Sequence, residues 1–123
     1  MQDTQTMFWK KLLGESGETL AAMHLEKNGY KIITRNYKCR YGEIDIIAKE
    51  KNTWCFIEVK AIAKSSSESP FDTIGKKKME HIENSAAQYV AENKLGNERI
   101  RFDAVGIRVN DGKNEIELVK GIL

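Results

Sequence analysis

Two carboxylates and a lysine stand on neighbouring apolar stretches of this chain. Asp45 lies in Gly42-Glu43-Ile44-Asp45, and Glu58-Val59-Lys60 begins thirteen residues after it. Charges in such surroundings cost free energy unless they are paired. Two carboxylates about 5 Å apart repel by roughly 3 kcal/mol at an effective dielectric of 20, and a divalent cation removes that conflict. Magnesium takes oxygen ligands, commonly one or two protein carboxylates, with water and substrate phosphate filling its shell. An ion so held polarises a phosphoryl oxygen and acidifies an attacking water. Lys60 is suited to hold that water or to stabilise charge on the phosphate. The chemistry is metal-assisted phosphodiester hydrolysis, in which no residue is covalently modified. A plainer reading stands beside it. Glu-x-Lys on one strand face is an exposed ion pair worth little, and Asp45 can equally cap a turn or pair with Arg40. On spacing alone the plainer reading ranks first.

These residues need strands to position them. Ile44-Ile46 and Phe56-Ile57-Val59 are β-branched and aromatic, the types that suit a pleated, half-buried surface. Alternation puts Glu43 and Asp45 on one face and Glu58 and Lys60 on one face. If the two strands pair with those faces together, Asp45, Glu58 and Lys60 form one cluster. The pattern predicts a helix over 14–28, with Leu20, Met23 and Ala21-Leu25 at helical spacing and Gly29 as its stop. Strands follow at 30–37, 42–49 and 53–61, the last two joined as a hairpin. A second helix is expected over 73–95, with Ile74, Lys78, Ile82, Ala86, Tyr89 and Val90 on one stripe and Gly96 as its end. Strands at 100–109 and 115–119 close the chain, separated by the turn signal Asn110-Asp111-Gly112-Lys113. Residues 1–6 are polar and expected to be disordered. The segment Lys64-Ser65-Ser66-Ser67-Glu68-Ser69-Pro70 is expected to be a mobile loop.

A length of 123 residues fits one domain, 1–123, with one core. With 41% hydrophobic and 31% charged residues the composition is that of a globular chain rather than a disordered one. A net charge of +2 permits nucleic-acid binding without demanding it, so any basic surface must be local. No apolar stretch is long enough to span a bilayer, and Met1-Gln2-Asp3-Thr4 does not begin a signal peptide. The expectation is a cytoplasmic protein with no membrane partner. Cys39 and Cys55 match no zinc spacing, and free thiols are expected in a reducing compartment.

Lys76-Lys77-Lys78 opens the second helix, where positive charges oppose the macrodipole and repel one another. A docked anion reverses both effects, and the bland alternative is a solvated lysine run. The helical stripe points Lys78 toward the sheet and leaves Lys76 and Lys77 as backbone contacts at most. Arg35, Lys38 and Arg40, interleaved with Tyr37 and Tyr41, form a second candidate strip. Such phosphate contacts position a duplex without reading its sequence. Trp9 and Trp54 are read as packing residues.

The stretches Gly42-Glu43-Ile44-Asp45-Ile46-Ile47-Ala48, Phe56-Ile57-Glu58-Val59-Lys60 and Arg101-Phe102-Asp103-Ala104-Val105 resemble the YraN-like family of small bacterial proteins. Gly17-Glu18-x-x-Ala21, Gly29-Tyr30-x-Ile32-Ile33-x-Arg35-Asn36-Tyr37, Lys78 and the Ala86/Tyr89 pair match the same pattern. The likeness runs from about Gly14 to the C-terminus. That family is similar in fold to PD-(D/E)XK nucleases, including Holliday-junction resolvases. The resemblance therefore implies a single α/β, restriction-endonuclease-like domain. Its mixed central sheet would be flanked by two main helices, in the order α-β-β-β-α-β-β. It implies Asp45 and Glu58 as ligands of Mg2+ (or Mn2+), Lys60 as catalytic lysine and Glu18 as a further acidic member of the site. The plainer role for Glu18 is a carboxylate near a helix start. Asp103 matches a family aspartate, with a strand-end hydrogen bond to backbone an equal alternative. Ile44 stands where the fold's name implies proline. Ile62 stands where the family tends to carry a basic residue, with Lys64 beyond it.

The resulting expectation is a metal-dependent endonuclease acting on DNA, branched or otherwise a recombination or repair intermediate. A homodimer would be required for a symmetric junction. The alternatives are a nucleic-acid-binding module that keeps the fold with little or no cleavage, and a repair adaptor.

Overall fold

The computed structural model describes residues 17–63, 74–110 and 113–123, with backbone alone at 62–63 and 109–110. The expectations for residues 1–6, the 64–70 segment, Trp9 and the tip of the 110–113 turn lie outside them.

Helix α1 covers 17–27 of the described residues. It ends where Gly29 adopts φ +90°, a conformation that costs glycine little. Strands β1 (Tyr30–Cys39), β2 (Gly42–Glu50) and β3 (Thr53–Ala63) form an antiparallel meander. Helix α2 (Lys76–Glu92) then carries the chain across one face to β4 (Arg99–Asn110), which pairs parallel to β3. A parallel neighbour requires such a crossover. Strand β5 (Lys113–Lys120) returns antiparallel to β4, giving the order β1-β2-β3-β4-β5 in one mixed sheet. The expected α/β order holds.

A sheet with a helix on each face buries its central strand on both sides. In β3, Cys55, Phe56 and Ile57 in succession are fully buried. On one face Ala21, Ala22 and Leu25 of α1 pack on Ile46, Ala48, Cys55, Ile57, Val105 and Ile107. On the other, Ala86 and Tyr89 of α2 pack on Ile44, Ile47 and Phe56. Tyr89 meets Phe56 edge-on at 5.9 Å and Tyr37 at 5.2 Å, while Trp54 lies 6.0 Å from it as a packing residue. Met23, expected on the α1 stripe, is instead exposed. Its neighbours Ala22 and Leu25 take the sheet-facing arc, and Met23 falls on the solvent side.

Helix α2 is shorter than the sequence pattern predicts. It ends at Glu92 because Lys94 turns left-handed at φ +54°, and Leu95 N–H then donates back to the Val90 carbonyl at 2.9 Å. Gly96, the expected stop, lies past that turn. Strand ends run one or two residues beyond the apolar pattern, since backbone pairing continues after side-chain burial stops.

Candidate functional site

Strand β3 alternates without interruption. Cys55, Ile57, Val59 and Ala61 serve the α1 side, so Phe56, Glu58 and Lys60 face the α2 side. Strand β2 does not alternate throughout. Ile44 and Ile47 pack under α2, whereas Ile46 and Ala48 pack under α1. Two residues apart, Ile44 and Ile46 should share a face, so the pleat breaks at Asp45. Opposite the break, Asn36 of β1 takes φ +56°, and regular β2–β3 pairing stops at Ile46↔Ile57. Asp45 is thereby turned into the seam between β2 and β3. There its Oδ2 accepts the Val59 N–H at 2.8 Å, a donor left over where the ladder ends.

Gly42 makes the entry to this segment possible. It holds φ +138°, a backbone conformation that residues with a Cβ rarely adopt. The Gly-Glu-Ile-Asp motif thus has a backbone reason for its glycine as well as a chemical reason for its aspartate.

The two carboxyls interact. Burial, with Asp45 beside it, pushes the Glu58 carboxyl up to about 7, although the Lys78 ammonium works against this. Burial also raises Asp45, opposed by the Val59 N–H and reinforced by the charge of Glu18. A cleft of about 270 Å³ lined by Glu18, Asp45, Val59 and Ala61 opens on the α1 side of the seam. At about 30 Å³ per water it has room for several waters.

Glu18 reaches the rim of that cleft from α1, and β1 holds it there. Arg35 Nε lies 3.0 Å from Glu18 Oε1, Asn36 Nδ2 donates to the same oxygen at 3.0 Å, and Arg35 also donates to Thr19 Oγ1 at 3.3 Å. Arg35, expected as a phosphate contact, is therefore engaged with the acidic site. Asn36 enters the sequence reading only as part of the family pattern, with no role in the site. Its signal is an asparagine amid β-branched and aromatic neighbours, a residue tolerant of left-handed backbone.

Lys78 faces the sheet as its helical position requires, with Nζ 3.3 Å from Glu58 Oε1. Lys76 and Lys77 precede it, exposed, on a first turn with no acidic residue and no side-chain cap. Arg40 is exposed at the β1–β2 turn, its guanidinium 4.8 Å over the Tyr41 ring. It does not bind Asp45. Asp45 thus sits in the seam between Glu18 on the α1 side and the Glu58–Lys78 pair on the α2 side, and Lys60 shares the face of Glu58. Lys76, Lys77 and Arg40 stay at the margins.

Asp103 is fully buried and belongs to a different cluster. It accepts from Tyr30 Oη at 2.8 Å, Arg101 Nε at 2.8 Å and the Gly121 N–H at 3.0 Å. Burial works to raise its pKa, but these donors, Arg101 foremost, hold it below the ordinary carboxylate range. Glu50 joins through Arg101 at 2.9 Å and Lys120 at 2.6 Å. The backbone-anchoring alternative holds for Asp103. Cys39 and Cys55 are both free.

Among the described residues, no three His, Cys, Asp or Glu side chains converge as a ready-made metal site. The donor set near the seam is two carboxylates, with water-accessible space beside Asp45. This fits magnesium or manganese, which keep several waters, better than a metal needing a full protein cage. No helix among the described residues is long and apolar enough to cross a membrane.

The sequence profile of Uncharacterised protein family UPF0102 matches residues 17–107, which include all the site residues above. A UPF0102 protein of Caldicellulosiruptor saccharolyticus is 42% identical over 107 residues, covering 87% of this chain and 90% of its own. One of Caldanaerobacter subterraneus is 38% identical over 114 residues, covering 93% of each chain. A third, of Chlorobium phaeobacteroides, is 43% identical over 106 residues, covering 85% of this chain and 82% of its own. Match length and identity agree with the motif resemblance, and the chain belongs to the UPF0102 (YraN) family.

Proposed function

We propose that this protein is a metal-dependent deoxyribonuclease of the PD-(D/E)XK type, hydrolysing phosphodiester bonds in DNA that is branched or otherwise a recombination or repair intermediate. The observation that carries the proposal is the break in β2 at Asp45. It brings a second carboxylate to Glu58 in a buried setting that raises the pKa of both. A protein gains nothing in stability from such an arrangement, and perturbed carboxylates in a cleft are the mark of a functional site.

In this reading Asp45 and Glu58 hold Mg2+ or Mn2+, and the Val59 N–H fixes the orientation of Asp45. The bound ion supplies Lewis-acid polarisation of the phosphate and an acidified water. Lys60 orients that water or stabilises charge on the phosphate. Glu18, held by Arg35 and Asn36, contributes through a water at the cleft rim. Lys76, Lys77 and Arg40, all exposed, meet backbone phosphates in this reading. Processing a symmetric four-way junction would require two such sites, hence a homodimer.

A second reading has its own observation. Glu18 is engaged by Arg35 and Asn36, Glu58 by Lys78 and Asp45 by the Val59 N–H, so each acid already has a cationic or amide partner. That suits a DNA-binding module with little cleavage. Wild type and Asp45→Ala, assayed with Mg2+ or Mn2+ on four-way junction, flap, single-stranded and linear DNA, separate the two. Cleavage by the wild type alone supports the nuclease. Binding by both proteins with cleavage by neither supports the module.

A further inference from the structure

We infer that Lys78 is the resident counter-cation of the Asp45/Glu58 pair, and that it leaves Glu58 for a substrate phosphate when a divalent cation takes the pair. The inference rests on the metal-site reading above and concerns what α2 does for it. Lys78 Nζ sits 3.3 Å from Glu58 Oε1, with the lysine side chain 45% exposed and the glutamate side chain 10%. One end of this pair is fixed in the sheet. The other is a flexible stem at the protein surface.

Lys78 acts on both acids, lowering the pKa of Asp45 as well as that of Glu58. It thus does in part what a metal ion would do at the same place. A divalent cation at the pair repels that ammonium and competes with it for Glu58 Oε1, the oxygen Lys78 contacts. The displaced lysine has a ready destination. It belongs to the first turn of α2, beside exposed Lys76 and Lys77, where no acidic side chain offers a rival partner on the same turn. An anion docking there meets three lysines instead of two once Lys78 is free. Metal and DNA binding are thereby coupled through one side chain, each favouring the other as linkage requires.

A purely structural ion pair predicts none of this, and the two are separable without an activity assay. Mn2+ affinity is measured by electron paramagnetic resonance on the DNA-free full-length wild type, Lys78→Met and Lys78→Gln. The pH is set above the value near 7 that burial gives Glu58. Removal of the competitor is expected to tighten Mn2+ binding by about tenfold, a 1.4 kcal/mol change. DNA affinity is then compared with and without Ca2+, chosen as a cation of the same charge. Both variants should lose roughly fivefold in affinity with Ca2+ present and less than about twofold without it, since Lys78 is committed to Glu58 in the metal-free protein. Unchanged or weaker Mn2+ binding in folded variants overturns the exchange, as does an equal loss of DNA affinity in both conditions. Absence of Mn2+ binding by the wild type overturns the metal-site reading together with the exchange. Wild-type binding with unaltered variants overturns the exchange alone.

Discussion

The Val59 N–H donates to Asp45 Oδ2 at 2.8 Å, so the strand that carries Glu58 also orients the carboxylate opposite it. This bond exists because β2 stops pairing regularly with β3 at Ile46↔Ile57. The break in the pleat and the acidic pair are one feature. Regular pairing would seat the Asp45 side chain on the face of the sheet, leaving the seam to backbone alone.

Between about pH 4.5 and 7 the acidic pair contributes a stabilisation that falls as pH rises. Burial and Asp45 raise Glu58 from its ordinary 4.5 to about 7 in the folded chain. The native state therefore binds more protons than the unfolded one between those values. Its contribution is complete below 4.5 and is lost as pH rises through about 7. Glu58→Gln should flatten this slope and stabilise the metal-free protein above neutral pH by on the order of 3 kcal/mol. Urea denaturation across the pH range measures it. Added Mg2+ should raise the wild-type midpoint above neutral pH and leave Glu58→Gln unmoved.

The Asp103 cluster predicts the opposite sign at the other end of β2. Its donors hold Asp103 below the ordinary value of 3.8, so its contribution is present above that pH and lost as pH falls below it. Asp103→Ala leaves Arg101 without its fully buried partner and should cost about 3–5 kcal/mol. Chemical denaturation reads this loss. Mn2+ affinity of the folded variant should stay within about twofold of wild type, since distant sites act independently.

The cysteines should react at very different rates. Burial pushes the Cys55 thiol up to about 12 and shields it from solvent. In the native protein a thiol reagent should therefore modify Cys39 first. Cys55 should react only at the rate of unfolding. Mass spectrometry along a labelling time course distinguishes the two.

Much of the fold was legible because its signals are periodic and local. The apolar alternation of 53–61 and 100–109, the helical stripe of α2 and the glycine after Asn28 each carry a physical reason within a few residues of sequence. Lys78 was legible for the same reason, since it lies one turn before buried Ile82. The break at Asp45 was not. Ile44-Asp45-Ile46-Ile47-Ala48 fits a regular buried strand as well as an interrupted one, and only pairing with β1 and β3 decides between them. Arg35 was read as a DNA contact because its alternative partner, Glu18, lies on α1 and meets it only through the tertiary fold. The Tyr30, Glu50, Arg101 and Asp103 network escaped notice as a whole, since its members are scattered over three strands.

The lysine turn predicts a particular salt dependence. Each phosphate contact contributes about −0.9 to the slope of log affinity against log salt on duplex DNA. Lys76→Ala or Lys77→Ala should each make that slope shallower by about this much, across unrelated sequences alike. Fluorescence anisotropy over a salt series measures it. A slope unchanged by both substitutions together would place the duplex elsewhere on the surface.

The most direct test of the central claim is crystallographic: the anomalous scattering of Mn2+ soaked into the protein above neutral pH. The account predicts one strong peak in the seam between β2 and β3, about 2.1 Å from oxygens of both Asp45 and Glu58, and no such peak in Asp45→Asn. An empty seam at saturating Mn2+, or a peak bound without either carboxylate, would contradict it.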